Sequence, residues 1–221
     1  VQPRPSSTSV RALHNPSVCR PIAICRRSYG VYAITGGLGG LGLRAAALLV
    51  EGGVSRVLLA SRSGRVVRDG QGLDAQLRSM GSVASILACD SADSCDMKTL
   101  LSFELLTGVL QAAGVLRDKM LRSMVTCDVD AVFAPKAFAA SHLHAAATRT
   151  SLEAFGLFSS IASTLGSVGQ GNYAAANAFL DALAVSVRVR GVFGSSLQIP
   201  AVSGAGMGAM TFDKGQLDSM I

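Results

Sequence analysis

Four residues of this chain have the types and spacing to transfer a proton to a carbonyl oxygen. Tyr173 and Asn177 stand four apart at the start of a helical stretch, NYAAANAFLDALA, and so share one helix face. Ser160 lies thirteen residues before the tyrosine and closes an apolar run that reads as a strand. Strand C-termini in open α/β sheets line the ligand crevice. Lys136 sits within FAPKAFAA, where a cation is costly unless it is partnered or reaches solvent. Carbonyl reduction needs a hydride source, a group that polarises the oxygen, and an acid. A phenol keeps its proton to about pH 10, and a nearby ammonium lowers that value, so Lys136 beside Tyr173 makes an acid usable near neutrality. Ser160 can hold the substrate oxygen, and Asn177, both donor and acceptor, can pass protons through water. Singly, these are an ordinary core tyrosine, strand-end serine, snorkelling lysine and helix-start asparagine. The set gains meaning only on a scaffold that delivers hydride.

The string TGGLGGLG supplies that scaffold: Thr35, Gly36, Gly37, Leu38, Gly39, Gly40, Leu41 and Gly42 follow an apolar strand and open a helix. Glycine lets the backbone approach a pyrophosphate with no Cβ in the way, and the helix N-terminus offers free N–H groups. A glycine-rich packing turn is the rival explanation. An acidic residue closing the second strand would bind a ribose 2′-hydroxyl and repel a phosphate. Here that strand closes on Ser61, Arg62 and Ser63, a guanidinium between hydroxyls, which suits the 2′-phosphate of NADPH. Cys89 and Asp90 close the third strand, where Asp90 is placed to accept from an adenine amino group or to cap a helix.

Those elements must come from the rest of the chain. Strands are expected at 31–35, 56–61, 82–89, 108–113, 152–160 and 196–199. Helices are expected from the glycine turn to Glu51 and at 73–80, 92–101, 130–148 and 173–190. Repeated strand–helix units imply parallel strands, hence the α/β class: a Rossmann-like doubly wound parallel sheet of about six strands with helices on both faces. Residues 1–28, with four prolines among serine and arginine, read as an irregular linker or remnant.

Composition excludes several other classes. The 221 residues are 49% hydrophobic, too apolar for a disordered chain. The net charge of +6 is local: residues 1–50 hold six arginines and no acid, whereas the rest holds 14 basic and 14 acidic groups. A neutral body without a basic stripe argues against nucleic-acid binding. The five cysteines form no C-x-x-C pair, which fits free thiols in a reducing, cytoplasmic compartment. The acid-free, Arg- and Ser-rich start leaves an organelle transit segment as the alternative. No metal site is expected, since His142 and His144 are two apart on a helix and face different directions. No charge-free apolar run reaches the roughly 18 residues that a membrane span needs.

The strings TGGLGGLG, LASRSG, ACD, AAGVLRD, APK, LFSSIASTLGS and GQGNYAAANAFLDALA together resemble the catalytic subdomain of polyketide synthase ketoreductases, in the short-chain dehydrogenase/reductase superfamily. Most of that superfamily has lysine four after the tyrosine. Ketoreductases resemble this chain, with asparagine there and lysine on the earlier helix. The resemblance implies NADPH-dependent reduction of a β-ketoacyl thioester presented by an acyl carrier protein. It implies Ser160 and Tyr173 at the carbonyl, Lys136 as partner of the tyrosine, and Asn177 in a relay. It also implies a cofactor site that takes in Tyr173, Lys136, Ala112, Ala113 and Gly114 besides the residues above, and a domain over 29–221. Asp118 and Leu165 match markers of the class giving a D-configured hydroxyl, although Arg117 replaces the first acid of the usual Leu-Asp-Asp motif; Gln170 joins them as a candidate for stereocontrol.

Several features depart from that family. Only about 28 linker-like residues stand where the family usually has a structural subdomain, residues 90–111 are short, Gln111 replaces a common histidine, IPAVSGAGMGAM replaces a tryptophan-containing stretch, and the family's seventh strand is not expected within these 221 residues. A truncated lid, an uncovered sheet edge and a need for other synthase domains are therefore expected. The alternatives are a ketoreductase of a type I fatty acid synthase and an inactive cofactor-binding or structural domain.

Overall fold

A computed structural model describes residues 29–66, 72–102, 105–148, 152–191 and 193–202. The expectations for 1–28, for Cys19 and Cys25, and for the lid and chain end at 203–221 lie outside the described residues.

Among the described residues, six strands form one sheet: β1 (Val31–Thr35), β2 (Arg56–Ser61), β3 (Ala84–Ala88), β4 (Gly108–Gln111), β5 (Ala154–Ser160) and β6 (Ser195–Ile199). The order is β3-β2-β1-β4-β5-β6 and every adjacent pair is parallel. The order reverses between β1 and β4, so a crevice opens there at the strands' carboxyl ends. The helices are α1 (Gly40–Glu51), α2 (Leu73–Ser79), α3 (Ser94–Ser102), α4 (Thr126–Phe133), α5 (Ala139–Ala147), α6 (Ala162–Leu165) and α7 (Gly171–Val189).

Alternation along the strands builds two cores, as a sheet covered on both faces requires. Ala33, Leu58, Val109, Phe155 and Leu157 pack with Leu100, Leu143 and Leu180 from α3, α5 and α7. Ile34, Val57 and Leu59 point the other way and pack with Leu43, Ala46 and Leu73 from α1 and α2.

Most elements, β4, β5, α3 and α7 among them, shift from the sequence reading by one or two residues at one end or both, and three differences have a clear local reason. β3 begins two residues late because Gly81–Val83 winds into a 3₁₀ turn from Gly81, whose φ is 54°. The helix expected at 130–148 begins at Thr126, where the Asp128 carboxylate accepts from the Val125 N–H at 3.1 Å. That helix is also interrupted. Pro135 has no N–H to continue the ladder, and Ala134–Phe138 forms a wider π turn in which the Ala139 N–H reaches back to the Ala134 carbonyl. Such turns often occur at functional sites.

Candidate active site

The glycine turn lies against the end of β4. Gly36 has a φ of 67°, and a Cβ there would stand 2.6 Å from the Ala113 Cα, so only glycine fits both the turn and the contact. Gly39 precedes α1 without any side-chain cap, which leaves the helix's first N–H groups facing the crevice.

A groove of about 540 Å³ runs across this point. Its floor is Gly36, Gly39, Gly40, Leu41 and Gly42. One wall holds Ser61, Arg62, Ser63, Cys89 and Asp90, and the other holds Ala112, Ala113 and Gly114. The sequence singled out all of these. It also singled out Thr35, Gly37 and Leu38, which lie behind the groove wall. Thr35 and Leu38 are fully buried, and a Cβ on Gly37 would press on Leu59. Asp90 is not the cap of α3. Asp93 has that role, its Oδ1 accepting from the N–H groups of Cys95 and Asp96 at 2.7 and 2.9 Å, while Asp90 stays exposed in the groove wall. Burial pushes the Cys89 thiol up to about 11, helped by the carboxylates of Asp96, Asp90 and Asp93, so it presents a neutral S–H.

The four chemical residues come together beyond the β4 end of the groove. Lys136 leaves the π turn, is almost wholly buried, and donates from Nζ to the Phe158 carbonyl at 3.0 Å. Its Nζ stands 5.3 Å from the centroid of the Tyr173 ring, over the ring face. Burial lowers the ammonium's pKa from 10.5 to about 8, with the Asp181 carboxylate opposing. Ser160 ends β5, its Oγ accepting from the Ala162 N–H at 3.2 Å. Asn177 is fully buried one turn along α7 from Tyr173. Its Nδ2 donates to the Tyr173 carbonyl at 2.8 Å, and its Oδ1 has no protein partner.

One electrostatic expectation is reversed. The sequence reading had Lys136 lowering the phenol's pKa, whereas the Tyr173 pKa is raised. Burial is the main cause, the Asn177 and Ser160 side chains oppose it, and Asp118 adds to it. The Lys136 ammonium does not offset this, being committed to the Phe158 carbonyl and to the ring face.

The residues proposed for stereocontrol divide. Gln170 donates from Nε2 to Asp118 Oδ2 at 3.0 Å, whereas Leu165 projects into solvent at the end of α6. Sequence reasoning missed Pro135 and Arg117 in the groove wall and the buried amide of Asn172. Pro135 inside a helical pattern was the signal available. Gln111, noted only as a departure, is fully buried and donates from Nε2 to the carbonyls of Pro135 at 2.5 Å and Ala113 at 3.1 Å. It therefore pins the π turn to the end of β4.

A family model described as the KR domain matches residues 30–204. Spectinabilin polyketide synthase system protein NorB of Streptomyces orinoci is 42% identical over 195 residues, which cover 86% of this chain and 9% of that protein. Erythronolide synthase EryA2 of Saccharopolyspora erythraea is 45% identical over 166 residues, 74% of this chain and 5% of its own length. A solved structure of A-type ketoreductases from a modular polyketide synthase superposes with a TM-score of 0.76 at 38% identity, over 87% of this chain and 41% of that one. The chain thus spans a small part of the curated relatives it matches.

The depressed lysine pKa has a consequence for stability. Between about pH 8 and 10.5 the unfolded chain holds a proton on Lys136 that the folded chain has released. Stability contributed by this group therefore rises with pH across that window, by at most about 1.4 kcal/mol per pH unit. Urea unfolding of the wild type and of Lys136→Met at pH 7.5 to 9.5 should give curves that diverge as pH rises, the wild type gaining. Parallel curves would contradict the buried ammonium.

Proposed function

Because this chain belongs to the KR domain family, the ketoreductase domains of polyketide synthases, we propose that it reduces a β-ketoacyl thioester to the β-hydroxyacyl thioester with NADPH. The observation that carries this reading is the buried Lys136 ammonium over the Tyr173 ring, beside Ser160 and Asn177, at one end of a glycine-floored groove.

The groove suits the cofactor. A Cβ at Gly36 would fill the space beside Ala113, and the uncapped N-terminus of α1 favours a pyrophosphate. Arg62 stands in the wall at the end of β2, where a 2′-phosphate needs a cation. Bound NADPH supplies the hydride. Ser160 and Tyr173 hold the carbonyl oxygen, and the Tyr173 hydroxyl gives up its proton as charge develops there. Lys136 holds the Tyr173 ring from its face, its Nζ 5.3 Å from the ring centroid. Asn177 Oδ1, buried without a protein partner, is an open acceptor for the water that returns a proton to the tyrosine.

An acyl carrier protein delivers the substrate in this reading, and other synthase domains flank the chain. The polyketide synthases among its relatives favour that pathway over fatty acid synthesis, and the complete set of four residues favours an active domain over an inert one. Asp118 and Leu165 favour a D-configured hydroxyl.

Removing a general acid typically costs 10²–10⁴-fold. Tyr173→Phe should therefore lower kcat by at least about 100-fold and leave NADPH affinity, measured by fluorescence titration, nearly unchanged. Retained turnover would sink the proton-donor role. Arg62→Glu should reduce the preference for NADPH over NADH by about 10- to 100-fold, the equivalent of one charge-assisted contact. An unchanged ratio of kcat/KM for the two cofactors would remove Arg62 from the phosphate site. Chiral chromatography of the product should give the D-hydroxyl, and the L-hydroxyl would discard the assignment from Asp118 and Leu165.

A further inference from the structure

Asn172, immediately before Tyr173, has a side chain 3% exposed whose amide is committed to three protein hydrogen bonds. Nδ2 donates to the Arg117 and Asp128 carbonyls, each at 3.0 Å, and Oδ1 accepts from the Tyr173 N–H at 2.8 Å. One amide thereby joins three segments: the loop after β4, helix α4 and the first turn of α7. The Tyr173 N–H lies in the first turn of α7, where it has no partner within the helix.

The same loop is also tied to the residues just before α7 and to α4. The Lys119 N–H donates to the Gly169 carbonyl at 2.8 Å, Gln170 holds Asp118, and Lys119 Nζ pairs with Asp128 Oδ2 at 2.8 Å. Lys119 is 45% exposed, and an ion pair on a surface contributes little. The buried amide is different. Removing it strands the Asp128 carbonyl away from water, a costly loss, and also releases the Arg117 carbonyl and the Tyr173 N–H.

We propose that Asn172 is a positioning residue: it fixes the Tyr173 hydroxyl relative to the loop that carries Asp118, and so governs both the rate and the face from which the carbonyl is reduced. This rests on the reductase reading above. A misplacement of about 1 Å can cost on the order of 100-fold in rate. Here one buried amide bonds both the loop carbonyl of Arg117 and the backbone N–H of the acid, so loosening it moves both.

Asn172→Asp keeps the size and the acceptor but replaces both donated hydrogen bonds with carboxylate–carbonyl repulsion. Asn172→Ser, less disruptive, retains a single donor. Both are compared with the wild type in NADPH affinity, turnover of a β-ketoacyl thioester, product configuration and hydrogen–deuterium exchange. We expect exchange at 116–120 and 171–175 to quicken by about 10-fold or more while the strands stay protected. We expect kcat to fall by about 10- to 100-fold, with KM and NADPH Kd within about threefold. The minor enantiomer should appear, and the serine variant should lie between the other two. Unchanged exchange at both segments overturns the proposal. So does an unchanged kcat, or an unchanged enantiomer ratio, in a variant that still binds NADPH. Loss of NADPH binding together with exposure of the strands in both variants makes the residue merely structural and also overturns it. A wild-type chain without turnover refutes the reductase reading instead, and the positioning role falls with it.

Discussion

The site depends on one buried charge. An ammonium taken out of water is strongly disfavoured unless something replaces its solvation. Lys136 has two such replacements, the Phe158 carbonyl and the face of Tyr173. Each comes from a different element, so three parts of the chain must meet for the charge to be tolerated. The π turn at Ala134–Phe138 accompanies this arrangement: Pro135 cannot continue the α ladder, and Gln111 holds the Pro135 carbonyl against the end of β4. The same burial that lowers the lysine's proton affinity also raises that of the phenol. The two proton affinities are thus driven apart, the ammonium's falling from 10.5 to about 8 while the phenol's rises above its ordinary value.

The groove follows from a second constraint, the close approach of the first turn to the end of β4. Gly36 meets Ala113 with no room for a side chain, so the uncapped start of α1 opens directly on the point where the strand order reverses. The groove then lies beside β5, which neighbours β4 and ends on Ser160. The alternation of Ala33 and Ile34, or Leu58 and Leu59, between the two cores keeps those strands in register behind the site.

Much of this was legible in the sequence, because it rests on local signals. The bounds of β1 and β2 follow from their apolar runs, and the groove floor from its glycines. Ser160, Tyr173 and Asn177 were readable from spacing along a strand and a helix. Lys136 was readable as a misfit among apolar neighbours. Less legible was whatever depends on contacts between distant segments. Helix α4 begins four residues early through a bond between Val125 and Asp128. The sign of the Tyr173 shift turns on how deeply the phenol is buried, which spacing does not give. Asn172 looks like any polar residue in a first helical turn until Arg117 and Asp128 are seen beside it.

The central claim is that these groups form a working reductase site. The most direct measurement mixes the wild-type chain with NADPH and a β-ketoacyl thioester, follows loss of the reduced nicotinamide by absorbance, and quantifies the hydroxyacyl product. The account predicts catalytic turnover, with one hydroxyacyl thioester formed for each NADPH consumed. Tight NADPH binding with no substrate-dependent oxidation would contradict it.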